Sequence, residues 1–460
     1  MKKELLLFQL GPVQEFIAQA ETVGDLWAGS YLLSMLVWAG LNQIPEKEEN
    51  VVFPDLSSDV VRTALEDNMI PTIPNRFLTW CKAGEEEKVA ADVKKAIKGK
   101  LDEYISGLKL DEHKQKAAQT QADQFLQMTW AVLTNPVGKM GDDYKTLGRK
   151  LAMRRNVRDF ESWREDVPTG VKDFLSGKET ALCDGRGAMN LVKAKLAYDN
   201  GKRDLEIEGK YIAVIAMDGD KMGETLSSFE DENEHRAFSS ALASYACEVG
   251  PIVEKYNGAL IYDGGDDVLA VVPAKKAIDC AKELRCKFGD MVKGKNEKHL
   301  TASAGIAVGH KSVPLQDLVH KAHAAESRAK NSYNRDALAV SVFKRSGEIL
   351  EWGCNWGSKA LDIYKELSDS LKDSLSRRFP YKLAELLQPY GDISGDMKEI
   401  VQVEFKHAWE RSTQKAMSAN FADAVSQYLK DVFDESGKPT DFLDLFLCET
   451  FINRPREGEE

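Results

Sequence analysis

Between Tyr211 and Phe343 the chain alternates short apolar runs with amphipathic segments, in an order that few folds accommodate. The apolar runs have the length and composition of buried strands, and they read YIAVIAMD, ALIYDGGDDVLAVVP, which is two strands around a tight turn, TASAGIAVG and ALAVSVF. The amphipathic segments have helical spacing and cover residues 231–256, 274–291 and 314–331. We therefore predict one sheet whose strands are joined by a tight hairpin and by helices.

The order strand, helix, hairpin, helix, strand contains a βαββαβ unit, which is the ferredoxin-like fold. At the amino terminus, residues 4–10 form a second buried strand, and a long apolar segment after Pro12 predicts a helix with breaks at Gly24 and Gly29. Residues 84–108 predict a solvated amphipathic helix. Beyond residue 347 the pattern indicates helices and no strand. The predicted class is α+β, with two ferredoxin-like domains followed by a C-terminal helical domain.

The predicted domains follow from these patterns and from the length of the chain, 460 residues, which exceeds what one core usually organises. An N-terminal domain with helical insertions covers residues 1–183, and a second ferredoxin-like domain covers residues 210–346. Residues 184–209 are rich in Gly, Asp and Lys and are interpreted as a linker. The helical domain covers residues 347–460.

Charge and cysteine content narrow the class of protein. The net charge of -12 argues against free-standing, nonspecific binding to nucleic acid, because that affinity depends on Lys and Arg at phosphates. The seven cysteines include no C-x-x-C pair, which indicates reduced thiols and no zinc site. The longest apolar stretch, Tyr31 to Leu41, is too short to span a membrane, so we expect a cytoplasmic protein.

Three acidic residues stand at strand ends that the fold brings together. Asp218 ends the first strand of the second domain, and Asp266 and Asp267 follow Gly264 and Gly265 in the hairpin turn. In a ferredoxin-like sheet the first and third strands are antiparallel, so Asp218 is expected to face this pair. Two like charges about 4 Å apart repel by about 4 kcal/mol at an effective dielectric near 20, so a cation is expected there.

Two Mg²⁺ or Mn²⁺ ions, about 3.5–4 Å apart, would offset this repulsion and bridge a triphosphate. We predict Asp218, Asp266 and Asp267 as catalytic residues and metal ligands, with the carbonyl of Gly219 as a further ligand. The same Asp-Gly-Gly-Asp pattern is also ordinary hairpin chemistry. The position of Asp218 in the same unit favours the metal site.

Further residues are predicted to contact the nucleotide. Gly264 and Gly265 permit positive φ and leave space for a phosphate to approach the backbone. Lys330, near the end of the segment HAAESRAKN, is placed to reach a triphosphate, although a surface position is the alternative. Ser303 is a candidate for a hydrogen bond to a phosphate or base; close packing explains a small residue there equally well.

The pattern resembles two related groups, the diguanylate cyclases and the CRISPR polymerase family, and the N-terminal half distinguishes them. Residues 7–34 (LFQLGPVQEFIAQAETVGDLWAGSYLLS), 73–77 (IPNRF) and 154–160 (RRNVRDF) are similar to segments of the large palm-domain subunit of type III-B CRISPR effector complexes. A stand-alone diguanylate cyclase has no such N-terminal part. The resemblance extends over nearly the whole chain.

This resemblance implies two palms, of which the second holds the metal-binding turn, with two ATP molecules meeting at their interface. It also implies other complex subunits, a guide RNA and a target RNA as partners. The implied reaction, switched on by target RNA, is synthesis of cyclic oligoadenylate, a second messenger in antiviral defence. Gln14 and Glu15 are candidates for lining the interface near the second nucleotide, and a structural role explains them equally well.

Two departures from the family pattern are visible. Many relatives begin with a His-Asp nuclease domain, whereas here the first strand starts at residue 4, so we expect no cleavage of single-stranded DNA by this chain. Relatives often carry cysteine pairs between the palms, whereas this sequence offers only Cys183, so we expect no zinc.

Three alternatives to the cyclase remain open at this point. The same palm would serve for transfer of AMP to a different small molecule, since the acceptor pocket is not visible in the sequence. A stand-alone diguanylate-type cyclase shares the turn. A scaffold subunit would keep the palm only for nucleotide binding, but scaffolding has no use for repelling carboxylates.

Overall fold

The computed structural model describes residues 3–57, 73–157, 170–373, 375–390, 397–413, 417–435 and 439–454. The strands in these ranges are β1 Lys3–Gly11, β2 Val51–Phe53, β3 Arg76–Lys82, β4 Gln127–Leu133, β5 Tyr211–Gly219, β6 Ala259–Asp263, β7 Asp267–Pro273, β8 Ala302–His310, β9 Ala337–Phe343 and β10 Ile349–Asn355.

The helices alternate with these strands and then dominate the C-terminal part. They are α1 Gln14–Ala18, α2 Val23–Leu41, α3 Lys47–Asn50, α4 Glu86–Ser106, α5 Glu112–Phe125, α6 Met140–Asn156, α7 Ala188–Asp199, α8 Met222–Ser228, α9 Glu232–Lys255, α10 Ala277–Met291, α11 Leu315–Ser332, α12 Ala360–Asp373, α13 Phe379–Leu387, α14 Lys398–Glu410, α15 Ala419–Lys430 and α16 Pro439–Ile452. Single 3-10 turns occur at Ala274–Lys276, Lys295–Glu297 and Gln388–Tyr390, and a π turn occurs at Asp431–Glu435.

Both sheets have ferredoxin-like strand order, which confirms the predicted fold class. The first sheet runs β2-β3-β1-β4, and β1 pairs antiparallel with both of its neighbours. The second sheet runs β10-β9-β8-β5-β7-β6 and contains the order β8-β5-β7-β6 of one βαββαβ unit. The strands from β5 to β9 and the helices α9, α10 and α11 lie where the sequence predicts them, whereas the short helix α8 was not predicted.

The second sheet is apolar on both faces, because each face packs against a different set of helices. Ala213, Ile215 and Met217 of β5 point to a core that includes side chains of α9 and α10. Ile212 and Val214 point the other way, to a core shared with β1, α2 and α7 of the N-terminal part. Since α2 packs between the two sheets, the two ferredoxin-like units share a core.

The predicted helix breaks at Gly24 and Gly29 are wrong. The break lies at residues 19–22, where Thr22 begins α2 with a reciprocal capping box to Asp25. Both glycines lie inside α2, where their function is close packing. A methyl group at Gly24 would overlap the carbonyl of Lys202, and one at Gly29 would lie 3.1 Å from Cε of Lys193.

The segment 184–209, interpreted as a linker, contains a packed helix. Residues 188–199 form α7, whose buried side chains include Met189, Val192 and Leu196, and these belong to the same core as α2. The glycine and charged residues at its two ends concealed the helical spacing of these apolar positions.

The expectation of no strand beyond residue 347 is also wrong. Strand β10 pairs antiparallel with β9 and extends the second sheet by one strand. Trp352 is only 1% exposed, so β10 fastens the following helices to the sheet. The run ILEWGCN was missed because Glu351 and Gly353 interrupt its apolar pattern. In the described residues that follow, α12 to α16 pack around an aromatic cluster that includes Phe379, Phe405 and Phe442.

No helix in the described ranges has both the length and the apolar character to cross a membrane.

Candidate active site

The site is built where β5 ends and β7 begins. The antiparallel register pairs Asp218 with Asp267, which confirms the predicted juxtaposition of these two positions. The N–H of Gly219 donates to the carbonyl of Asp266 at 2.9 Å, so the strand end and the turn are joined directly. Because residues on paired strands share a face, the carboxylates of Asp218 and Asp267 belong to one side of the sheet edge.

The turn between β6 and β7 keeps its shape through its own hydrogen bonds. Gly264 donates its N–H to the carbonyl of Asp267 at 2.8 Å, and Gly265 donates to Oδ1 of Asp263 at 2.8 Å. Gly265 has a φ of 92°, which favours glycine. A methyl group at Gly264 would overlap the hydroxyl of Tyr262. Both glycines therefore allow a tight turn, so that Asp266 and Asp267 lie directly after it, where β7 begins.

A single ammonium group lies between two carboxylates at this site. Nζ of Lys330, on α11, contacts Oδ2 of Asp218 closely and lies 2.6 Å from Oε1 of Glu326, one turn earlier on the same helix. Asp218 keeps 33% of its side-chain surface exposed, so it opens to solvent. Lys330 is thus at the site, as the sequence predicts, and Glu326 is an acidic neighbour that the sequence analysis missed.

The carboxyl groups at the turn have raised pKa values, first because they are buried and then because they repel one another. Burial, together with the charge of Asp218, raises the pKa of Asp266 to about 7. The same causes, joined by Asp266 and Glu326, raise the pKa of Asp267 well above its ordinary value. Burial also raises the pKa of Asp218, and the bond from Lys330 offsets part of that rise. One lysine therefore does not neutralise the carboxylates that meet here.

Burial alone would lower the pKa of Lys330, but its bonds to Asp218 and Glu326 raise it overall. Lys330 is therefore protonated and positively charged at neutral pH.

Arg76, on β3 of the first sheet, adds a second positive charge near the turn. Its charge lowers the pKa of Asp266, against the larger effect of burial. The guanidinium is half-buried and lies 3.4 Å from the hydroxyl of Tyr144. Arg76 belongs to the segment IPNRF, which was noted only because it resembles a segment of the family, and it was not predicted as a site residue. Its proximity depends on how the two sheets pack, and no local pattern indicates that.

Ser303 is placed differently from the prediction. It is fully buried on β8, and its hydroxyl donates to Oδ1 of Asp220 at 2.8 Å. Asp220 also accepts hydrogen bonds from the hydroxyl of Thr301 and from the backbone N–H of Asp336. In this arrangement the Ser303 hydroxyl donates its hydrogen bond to Asp220, next to the end of β5, and so does not donate to a phosphate.

The remaining N-terminal candidates lie at the surface. Gln14 and Glu15 are exposed on α1, and Oε2 of Glu15 lies 3.7 Å from Nζ of Lys178. Helix α1 contacts α11, the helix that carries Lys330. Of the segment 154–160, residues 158–160 lie outside the described residues. Cys183 lies in a tight backbone turn with Arg186.

The donor set suits a hard divalent cation, since Asp218, Asp266 and Asp267 offer only carboxylate oxygens around one sheet edge. As the side chains stand, no three acidic, histidine or cysteine residues of the described ranges converge tightly enough to ligate one ion. Lys330 occupies Asp218 instead. The three residues thus have the ligand type that a divalent cation needs, and strand pairing places Asp218 opposite Asp267. Binding of a cation would require the contact between Lys330 and Asp218 to break.

Family models match two separate parts of the chain. Residues 211–339 match the second palm domain of Cas10/Cmr2, and residues 5–106 match the N-terminal domain of the CRISPR-associated protein Cmr2. A CRISPR system Cmr subunit Cmr2 from Pyrococcus furiosus is 28% identical, over 94% of this chain and 72% of its own length.

Solved structures show the same fold at low sequence identity. A chain of the type III-B Cmr-beta complex in the apo state aligns with a TM-score of 0.66 and 12% identity, over 98% of this chain and 82% of its own. A chain of a Csm1-Csm4 cassette in complex with cA4 aligns with a TM-score of 0.55 and 13% identity, over 98% and 70%.

The paired ferredoxin-like units and the acidic hairpin define a two-palm protein. The chain belongs to the Cas10/Cmr2 family, the large palm-domain subunits of type III CRISPR effector complexes.

Proposed function

We propose that this chain joins ATP molecules into cyclic oligoadenylate when its effector complex captures a target RNA. The carboxylates at the end of β5 and the start of β7 carry the proposal, because three of them share one sheet edge beside a lysine. The Csm1-Csm4 cassettes of similar fold were solved in complex with cA4, cA3 and AMPPNP, which supports a nucleotide site in this class of protein.

In the proposed reaction a ribose hydroxyl oxygen attacks the α-phosphorus of a second ATP. A phosphodiester bond forms, the bond to the β-phosphate oxygen breaks, pyrophosphate leaves, and the hydroxyl proton passes to solvent. Two Mg²⁺ or Mn²⁺ ions would supply charge stabilisation for the attacking and leaving oxygens. Asp218, Asp266 and Asp267 would hold these ions.

The glycines and the lysine would position the triphosphate. Gly264 and Gly265 present backbone without side chains, so a phosphate can approach closely. Lys330, a compact cation with three donors, would contact the β- or γ-phosphate once Asp218 binds a metal ion. Arg76 approaches the turn from the first palm, so both palms would face the nucleotide.

Other complex subunits, a guide RNA and a target RNA are the proposed partners. A Cmr-beta complex of similar fold was solved bound to cognate target RNA. With a net charge of -12, this chain is poorly suited to hold RNA nonspecifically by itself, so partner subunits would supply most of the phosphate contacts.

The direct test incubates the assembled complex with ATP, Mn²⁺ and matching target RNA and identifies products by mass spectrometry. The double variant Asp266→Ala with Asp267→Ala is expected to make no product while assembly and RNA binding persist. Asp290→Ala, which removes an exposed carboxylate of α10, is the matched control and should retain activity. A double variant as active as wild type would contradict the site, and an AMP conjugate as product would contradict the cyclase.

A further inference from the structure

Helix α11 approaches the second sheet unusually closely at one point. A methyl group at Gly305, on β8, would overlap the backbone nitrogen of Glu326 and the carbonyl of Ala322. Ala322, Ala325 and Ala329 are fully buried along the same helix. Small residues on both sides thus bring α11 down onto β8, beside β5, the strand that carries Asp218.

This approach places Glu326 and Lys330 at the site as a pair. They are four residues apart, which puts their side chains on one face of the helix. Their Oε1 and Nζ atoms lie 2.6 Å apart, and both side chains are mostly buried, at 13% and 19% exposed. The charge of Glu326 also reaches Asp267, whose pKa it helps to raise.

Lys330 has two carboxylate partners, Asp218 and Glu326, and only Asp218 lies where it can also bind a metal ion. Asp218 stands in register with Asp267 and opens to solvent, whereas Glu326 is held on the same helix as the lysine. A divalent cation on Asp218 would repel the ammonium and break that contact. Glu326 would then be the remaining anchor for Lys330, with two N–H donors of the ammonium left for phosphate oxygens.

We propose that Glu326 is a positioning residue that keeps Lys330 aimed at the triphosphate after a cation has replaced it on Asp218. The role rests on the proposed function of the site, because it needs a metal-bound nucleotide there. Glu326 acts through Lys330 and does not itself bind the metal ion. It therefore affects affinity for the triphosphate and not for the nucleoside.

The test is a double-mutant cycle on the assembled complex, with Glu326→Gln, Lys330→Met and the double variant. Binding of ATP and of AMP is measured with Mn²⁺ by equilibrium dialysis. Glu326→Gln and Lys330→Met should each weaken ATP binding roughly tenfold, about 1.4 kcal/mol, with AMP binding unchanged. The double variant should be no weaker than Lys330→Met alone. Asp317→Asn, an exposed acidic residue at the start of α11, is the matched control and should bind ATP like wild type.

Three results would overturn the role of Glu326. These are additive losses in the double variant, wild-type ATP affinity in Glu326→Gln, and fewer bound Mn²⁺ ions in Glu326→Gln, which would make it a metal ligand. If Glu326→Gln does not fold, Glu326→Asp is used, which keeps the charge on a shorter side chain and should lose part of the ATP affinity. A complex that binds ATP with the predicted coupling but yields no cyclic product would contradict only the proposed function.

Discussion

Lys193 is a buried lysine that holds together the backbone between α1 and α2 in the N-terminal palm. Lys193 is 1% exposed, and its ammonium donates to the carbonyls of Phe16 and Gln19 and lies over the ring of Phe16. These contacts satisfy backbone groups at the break between α1 and α2, which would otherwise be buried without partners. A buried cation of this kind is costly, so the fold depends on its protonation state.

Burial lowers the pKa of Lys193 from 10.5 to about 7, with Asp25 raising it in part. The unfolded chain therefore binds one more proton than the native chain between these pH values, and stability should rise with pH across that window. We expect the melting temperature of wild type, relative to Lys193→Met, to increase from pH 7 to pH 9. Thermal unfolding followed by circular dichroism checks this, and a difference that does not vary with pH would contradict it.

The sequence predicted Asp218, Asp266, Asp267 and Lys330 because strand order and helical spacing are local patterns that determine register. Glu326 and Arg76 could not be predicted in this way. Glu326 reaches the site only because α11 packs closely on Gly305, and Arg76 reaches it only because the two palms share a core. Ser303 has a hydroxyl that could bind a phosphate and lies on a strand near the site. Its hydroxyl instead bonds to Asp220, a tertiary contact that the sequence does not reveal.

At the scale of elements, the packing of α11 on β8 sets the geometry of the site. Gly305→Ala should push the helix away from the strand, because its methyl group meets backbone atoms that cannot rotate aside. Overpacking of this kind costs roughly 1–3 kcal/mol. We expect a lower melting temperature together with weaker ATP binding, since Lys330 moves with the helix.

The control for this prediction is Gly99→Ala, inside α4, where nothing lies within 4 Å of the added methyl group. Alanine is favoured over glycine in a helix by roughly 0.5–1 kcal/mol, so this variant should be as stable as wild type or more stable. Equal melting temperatures for Gly305→Ala and wild type would show that α11 is not held by this contact.

Over the whole molecule, β10 links the second palm to the C-terminal helices. Trp352 packs in the core common to both, Trp356 donates to the carbonyl of Ala302, and Tyr333 donates to Asp441 of α16 at 2.5 Å. The loop before β9 is thus joined to α16, and the residue after β10 is joined to the start of β8. A boundary at residue 346 would cut through this shared core.

Trp352→Ala should therefore destabilise the palm and the helical domain together, by roughly 3–5 kcal/mol for a buried aromatic. Hydrogen exchange measured by mass spectrometry is expected to show faster exchange in both β8 and α16. Tyr381→Ala, at a residue 49% exposed on α13, is the control and should leave exchange unchanged. Faster exchange confined to α12–α16 would mean that the two parts fold independently.

Counting Mn²⁺ ions by electron paramagnetic resonance, in the presence of ATP, tests the account of the acidic turn most directly. Wild type should bind two ions per chain tightly, and Asp267→Asn and Asp218→Asn should each lose at least one of them. Equal ion counts in all three proteins, or no tightly bound Mn²⁺ in wild type, would contradict the assignment of Asp218, Asp266 and Asp267 as metal ligands.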